Sequence, residues 1–212
     1  MKRHGTAASL TARGLILGLG LFLAIAGIGE CAEEGPAVVF RAKASALPGE
    51  ASAVQGKGPD EIVEIVLPGR VYEPPIKVVP VKTKGDASRK TPEQASASDF
   101  SAFREADPEW LRENFVEEDY PHIKRMVEDR NMRKLNQRTY MTYGEKTLVS
   151  RCVYKDFSLV FARYDGVAAK GVIEVYQKTK GSWKRTNALA RDETVALLQM
   201  MFRQGAFEQI NR

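Results

Sequence analysis

The sequence predicts an α+β domain in its C-terminal half: helices first, then an antiparallel meander of four to five strands, then a closing helix. Three observations carry this. Fifteen of the 18 aromatic residues fall between Phe100 and Phe207, so the material for a core is concentrated there. Apolar spacing is helical through Leu135 and alternates in twos from Thr147 onward. The alternating runs are short and follow one another across short connections, which favours antiparallel pairing.

The chain begins with a basic n-region, Lys2, Arg3 and Arg13, and no acidic residue. An uncharged apolar stretch, Gly14 to Gly29, follows. Its length lies between that of a secretory h-region and that of a membrane span. Small residues at Ala24, Ala26, Gly27 and Gly29 suit a signal peptidase. Residues 1–29 are therefore expected to be a signal peptide or a retained N-terminal anchor. Export to the periplasm, free or membrane-tethered, follows from that. Cys31 stands where a lipoprotein acceptor cysteine would, but Glu30 before it argues against lipidation. A retained Cys31 could pair with Cys152 in an oxidising compartment. Without residues 1–29, 29 basic residues face 27 acidic ones, so no basic excess asks for nucleic acid.

Residues 30–97 read as a flexible Pro-rich linker. Eight of the ten prolines lie between Pro36 and Pro92, and the only aromatics between residues 30 and 96 are Phe40 and Tyr72. Within it, 62–81 is a possible strand-forming arm. Ile62 to Leu67 and Ile76 to Val81 are β-branched runs, and Pro68–Gly69 between them reads as a turn. Such an arm could add to a sheet edge, its own or a partner's.

The folded domain is expected over 98–212. Asp107–Pro108 is a helix start, with the acid as N-cap and proline at the first position. Asp119 and Pro121 suggest a second start, and Ile123, Met126 and Val127 follow at helical spacing. Thr139 to Tyr143 reads as a short strand. Thr147 to Tyr154, Phe157 to Tyr164, Val172 to Lys178 and Ser182 to Thr186 are the meander. The Phe157 strand is apolar on both faces and should be central. Asp192 to Arg203 closes the chain as a helix with Val195, Leu198 and Phe202 inward.

Helices followed by a curved meander, and the local run GSWKRTNAL from Gly181 to Leu189, resemble the NTF2-like (cone-shaped α+β) group. The closing helix departs from that group's usual ending on strands, and a cystatin-like helix-on-sheet shares the pattern. The NTF2-like resemblance implies a possible pocket inside the cone.

Candidate site residues follow from polar groups in unusual places. Arg151, Arg163, Glu174 and Tyr176 interrupt otherwise apolar strands, and with Trp183 they could line a ligand pocket if their face is concave. Alternation alone does not decide the face. His122 beside Asp119 is the one carboxylate–imidazole pairing, the minimum for acid–base work, and the basis of a hydrolase or isomerase reading. The other histidine is His4, in the leader, so no metal site is expected. Arg130, Arg133, Lys134 and Arg138 form a basic cluster at helical spacing, suited to an anionic partner or lipid headgroup. No phosphate loop, GxSxG or HExxH is present, and no cofactor is expected. The reading is of a non-enzymatic envelope binding or accessory module, with a small ligand or an envelope protein as partner. A structural component docking through the 62–81 arm is the third reading.

Overall fold

A computed structural model describes residues 36–49, 51–166 and 171–210. The expected leader 1–29, with His4, and Cys31 lie outside the described residues. The strands are β1 (Ala37–Lys43), β2 (Ile62–Lys77), β3 (Lys146–Tyr154), β4 (Phe157–Tyr164), β5 (Val172–Thr179), β6 (Ser182–Arg185) and β7 (Phe207–Ile210). The α-helices are α1 (Pro92–Glu105), α2 (Pro108–Asn114), α3 (Tyr120–Glu128), α4 (Arg130–Thr142) and α5 (Glu193–Arg203). The fold is α+β, with one antiparallel open sheet in the order β6-β5-β4-β3-β2-β1-β7. Among the described residues no helix is long and apolar enough to cross a membrane.

The meander forms where alternation placed it. β4 is paired on both sides and nearly all of its residues are buried, in keeping with its two apolar faces. Asp107 caps α2 by accepting from Glu109 N at 2.9 Å and Trp110 N at 3.0 Å. Asp192 caps α5 through Val195 N at 3.1 Å.

The N-terminal half differs from the expected linker. From residue 37 it is built into the sheet: β1 pairs with β2 and β7, and β2 pairs with β1 and β3. A segment almost without aromatics cannot build a core alone, but it can complete one. Val38, Phe40, Val63 and Leu67 pack with Phe161, Leu198 and Phe202 from the far end of the chain. Even Leu47, Ala51 and Val54, within the expected flexible linker, are buried there. Of the two sheet edges that the 62–81 arm could join, it adds to its own, as far as Lys77. Pro68–Gly69 is no turn. It is the point where β2 exchanges β1 for β3 as partner. A Cβ on Gly69 would stand 2.3 Å from Arg151 O, so only glycine admits this approach. Pro74 and Pro75, which lack an N–H, fall where the β2–β3 register shifts between Val71 and Ile76.

Three helix features also depart from the sequence reading. α5 does not close the chain: β7 follows it and pairs with β1 at the end of the sheet. α1 occupies Pro92–Glu105, so the expected boundary at residue 98 falls within a helix. Its start carries a recognisable signal: Thr91 caps Gln94 N and Pro92 opens the first turn. The expected strand at Thr139–Tyr143 is the last turn of α4. Tyr140 stacks on Phe103 with centroids 4.2 Å apart, and Thr139 Oγ1 bonds back to Leu135 O. Tertiary packing overrides the β propensity of that run. The break before α4 lies at Asp129, whose carboxylate caps Asn131 N and Met132 N.

Both faces of the sheet are covered. On one, Leu159, Phe161 and Val175 meet β1 and α5. On the other, Leu148, Val160, Ala162, Tyr164 and Tyr176 meet α1. A third cluster joins α1, α2 and α3 around Trp110, Leu111 and Phe115.

Candidate functional site

The chemistry-bearing residues gather between α1 and the meander. Lys146 opens β3 and Glu174 lies mid β5, separated by β4 and held on one face by the registers Lys146–Tyr164 and Val160–Glu174. Lys146 Nζ donates to Glu174 Oε1 at 2.7 Å and Oε2 at 2.8 Å, and to Ser96 O at 3.2 Å. Both side chains are almost wholly removed from water, at 0% and 1% exposure. The carboxylate also accepts from Ser96 Oγ at 2.6 Å, Tyr176 OH at 3.0 Å and Tyr164 OH at 3.2 Å. A charge buried to this degree is tolerable only with such complete pairing. Burial opposes the Glu174 charge, but Lys146 and Arg185 outweigh it and hold the carboxyl down to about 2. Burial lowers Lys146 from the ordinary lysine value, with Glu174 acting in the other direction. Burial, then the Glu174 charge, pushes Tyr176 well up.

A second pair lies beside it. Arg185 of β6 donates to Asp99 Oδ2 of α1. Burial raises Asp99, and the Arg185 charge offsets this only in part. Among the described residues Asp99 Oδ1 has no hydrogen-bond partner, and neither does Asn114 Nδ2. Asn114 Oδ1 accepts from Arg89 at 2.8 Å and from Ser98 Oγ at 2.9 Å, and Ser98 Oγ accepts from Trp110 Nε1 at 2.8 Å. These bonds tie α1, α2 and β6 into one polar seam. Bulky rings fill the space around it: Phe100, Tyr140, Tyr164, Tyr176 and half-buried Trp183.

The sequence-predicted pocket residues are dispersed. Tyr176 is fully buried with its hydroxyl on Glu174. Trp183 is half-buried near it and donates its backbone N–H to Arg89 O. Arg151 shares this face but is engaged by Glu93 of α1 at 3.2 Å, together with Arg70 at 3.4 Å. Arg163 is on the opposite face, exposed, with its guanidinium 5.5 Å from the Phe202 ring of α5. The structure therefore brings Tyr176, Trp183 and Glu174 to one region and leaves Arg163 apart. It adds Lys146, Asp99 and Arg185, which sequence reasoning missed. Lys146 and Arg185 sit at strand ends, where charge is ordinary, and Asp99 lay next to the supposed linker. Only Glu174, an acid between Ile173 and Val175, carried a signal.

His122 and Asp119 do not form an acid–base pair facing a cavity. His122 is exposed on α3. Asp119 is buried, and its Oδ2 accepts from Asn187 N at 2.6 Å, which fastens the β6–α5 connection. A shallow groove of ≈ 720 Å³ lies nearby, between α2, α3 and β6. Glu109, Glu113, Glu117, Arg112, Tyr120 and Lys184 line it. Lys84 pairs with Glu109 at 3.2 Å and with Glu113 at 2.7 Å, and Arg112 lies 4.6 Å over the Tyr120 ring.

The basic cluster divides. Arg133 turns inward and caps the end of α3 through Val127 O and Glu128 O, the latter at 2.9 Å. Arg130, Lys134 and Arg138 remain exposed along one side of α4. No protein-family model, no curated protein and no solved structure matches this chain.

Proposed function

We propose that the protein is an exported, non-enzymatic accessory module of a cell envelope, which works through its surface. The observation that carries this reading is the filled space between α1 and the meander. In an NTF2-like cone that space is where a ligand or substrate is held. Here the Lys146–Glu174 pair and the rings of Phe100, Tyr140, Tyr164 and Tyr176 occupy it. Helix α1, with α2 and α4 beside it, over one face of an antiparallel meander supports an NTF2-like relationship. The covering of the opposite face by β1 and α5 is an addition to that plan. His122 at the surface and Asp119 bonded to the backbone favour no hydrolase or isomerase chemistry. Export rests on the basic n-region and the apolar stretch Gly14 to Gly29.

Two measurements test the two parts. Spheroplasts of a bacterium expressing the full chain with a C-terminal tag are treated with protease. Loss of the tag while a cytoplasmic marker survives is expected, and survival of both overturns export. The purified full chain is then melted with a panel of small metabolites. An unchanged midpoint is expected. A reproducible rise of several degrees with one compound overturns the surface reading, because a ligand of the native state alone must raise the midpoint.

A further inference from the structure

The outer face of α4 has an unusual composition for a helix of this length. Its thirteen residues, Arg130–Thr142, contain four cations and no carboxylate. Arg133 is used internally. Arg130, Lys134 and Arg138 are four residues apart, which stacks them in one stripe, and all three are exposed. Among the described residues none of the three has an ion-pair partner. The neighbouring acids are committed elsewhere: Asp129 caps α4, and Glu128 accepts from Tyr120 at 2.8 Å and faces Lys124 at 3.9 Å. Two large apolar side chains accompany the stripe, Leu135 at 56% and Met141 at 54% exposure. At 100° per residue, Met141 falls in the same angular sector as Lys134, two turns further on, and Leu135 flanks Arg138 on its far side. No residue of α4 is buried. Its inner side is nevertheless fixed on α1, by Tyr140 stacked on Phe103 and by Gln137 Nε2 donating to Arg104 O at 2.7 Å. The cationic, apolar side is therefore held outward.

We propose that this face of α4 docks on the surface of an anionic lipid bilayer. The cations would sit among lipid phosphates, with Leu135 and Met141 at the headgroup–acyl boundary. Unpaired cations interleaved with apolar side chains, and no acid between them, match such a surface in both charge and polarity. The apolar stretch Gly14 to Gly29, read as a leader or anchor, brings the same chain to a membrane. The proposal rests on the export reading and names the partner for it.

The test uses the full chain in vesicles, with a reporter that the N-terminal stretch cannot mimic. An environment-sensitive dye is attached through Leu135→Cys, in a Cys31→Ser background, Cys152 being buried. Its emission should shift to the blue on mixed phosphatidylglycerol–phosphatidylcholine vesicles and stay aqueous on pure phosphatidylcholine. Met141→Cys should report the same. Each cation removed should weaken docking about fivefold, so Arg130→Gln, Lys134→Gln and Arg138→Gln together should weaken it on the order of a hundredfold. All three are exposed, so circular dichroism should stay unchanged. Aqueous emission on the anionic vesicles at low salt overturns the proposal. An equal shift with soluble polyglutamate overturns the lipid assignment in favour of an acidic protein. The outcomes also separate the two readings. Tag survival in spheroplasts with a blue shift on vesicles sinks export alone; tag loss without a shift sinks the docking face alone.

Discussion

The two faces of one sheet are held by different physics. Under α5 the contacts are aromatic and aliphatic. Phe40 stacks on Phe161 with centroids 5.1 Å apart, and Phe202 meets Phe161 edge-on at 5.1 Å. Under α1 the contacts are aromatic and ionic, built on Lys146–Glu174 and the hydroxyls of Tyr164 and Tyr176. The apolar face can tolerate repacking and pays only for lost volume. The ionic face demands complete pairing, since a buried charge without its partner is worse than no charge. The difference teaches where each region is fragile. The first fails by cavity and the second by orphaned charge.

The largest expected effects set the faces against each other. Phe40→Ala should cost about 3–5 kcal/mol, which denaturant unfolding would measure. A loss below about 1 kcal/mol would restore the linker reading of its segment. Lys146→Met should cost a similar amount, about 3–5 kcal/mol, by leaving Glu174 unpaired. Here the faces part. Adding Glu174→Leu to Lys146→Met should recover more than half of the loss, the remainder reflecting the hydroxyls of Ser96, Tyr164 and Tyr176 left without their acceptor. An additive double variant would show that the pair acts as independent packing.

Acid titration is the next effect in size. Glu174 is lowered in the folded state, so between about 4.5 and about 2 the unfolded chain binds more protons. Its contribution is present above that window and is lost as the pH falls through it, on the order of 3 kcal/mol. Asp99 is raised, so its slope has the opposite sign and lies above the ordinary aspartate value. Stability curves of the native chain and Lys146→Met should therefore converge below about pH 4. Parallel curves down to pH 2 would remove Glu174 from the account. The smallest effect is a cap. Asp192→Ala should cost about 1 kcal/mol through the exposed first turn of α5. A larger loss would mean that its bonds to Tyr154 and Lys155 matter more than the cap.

The legible parts of the fold were those with local signals. β3 to β6 showed period-two alternation, α5 showed helical spacing behind Asp192, and Asp107–Pro108 announced α2. The illegible parts depend on distant partners. Val38 and Phe40 look like residues of a poor segment until Phe161 and Phe202 arrive beside them. Thr139 to Tyr143 has the composition of a strand and is helical because Tyr140 has Phe103 to stack on. The site followed the same rule. Glu174 stood out as an acid in an apolar strand, but its counter-ion lies 28 residues away and looked like an ordinary strand-end lysine. Arg163 and Tyr176 could not be assigned to opposite faces without the register.

By itself, then, the sequence determined the α+β class, the antiparallel meander, the helix behind Asp192 and the basic residues of α4. Each is set by spacing along the chain, at two or at three to four residues, and needs no partner to be read. Only the tertiary structure decided that residues 37–77 belong to the sheet, that Tyr176 is buried against Glu174, and which cations of α4 stay exposed. Those outcomes depend on contacts between segments far apart in sequence, where ladder register and burial select among partners that local spacing leaves equivalent.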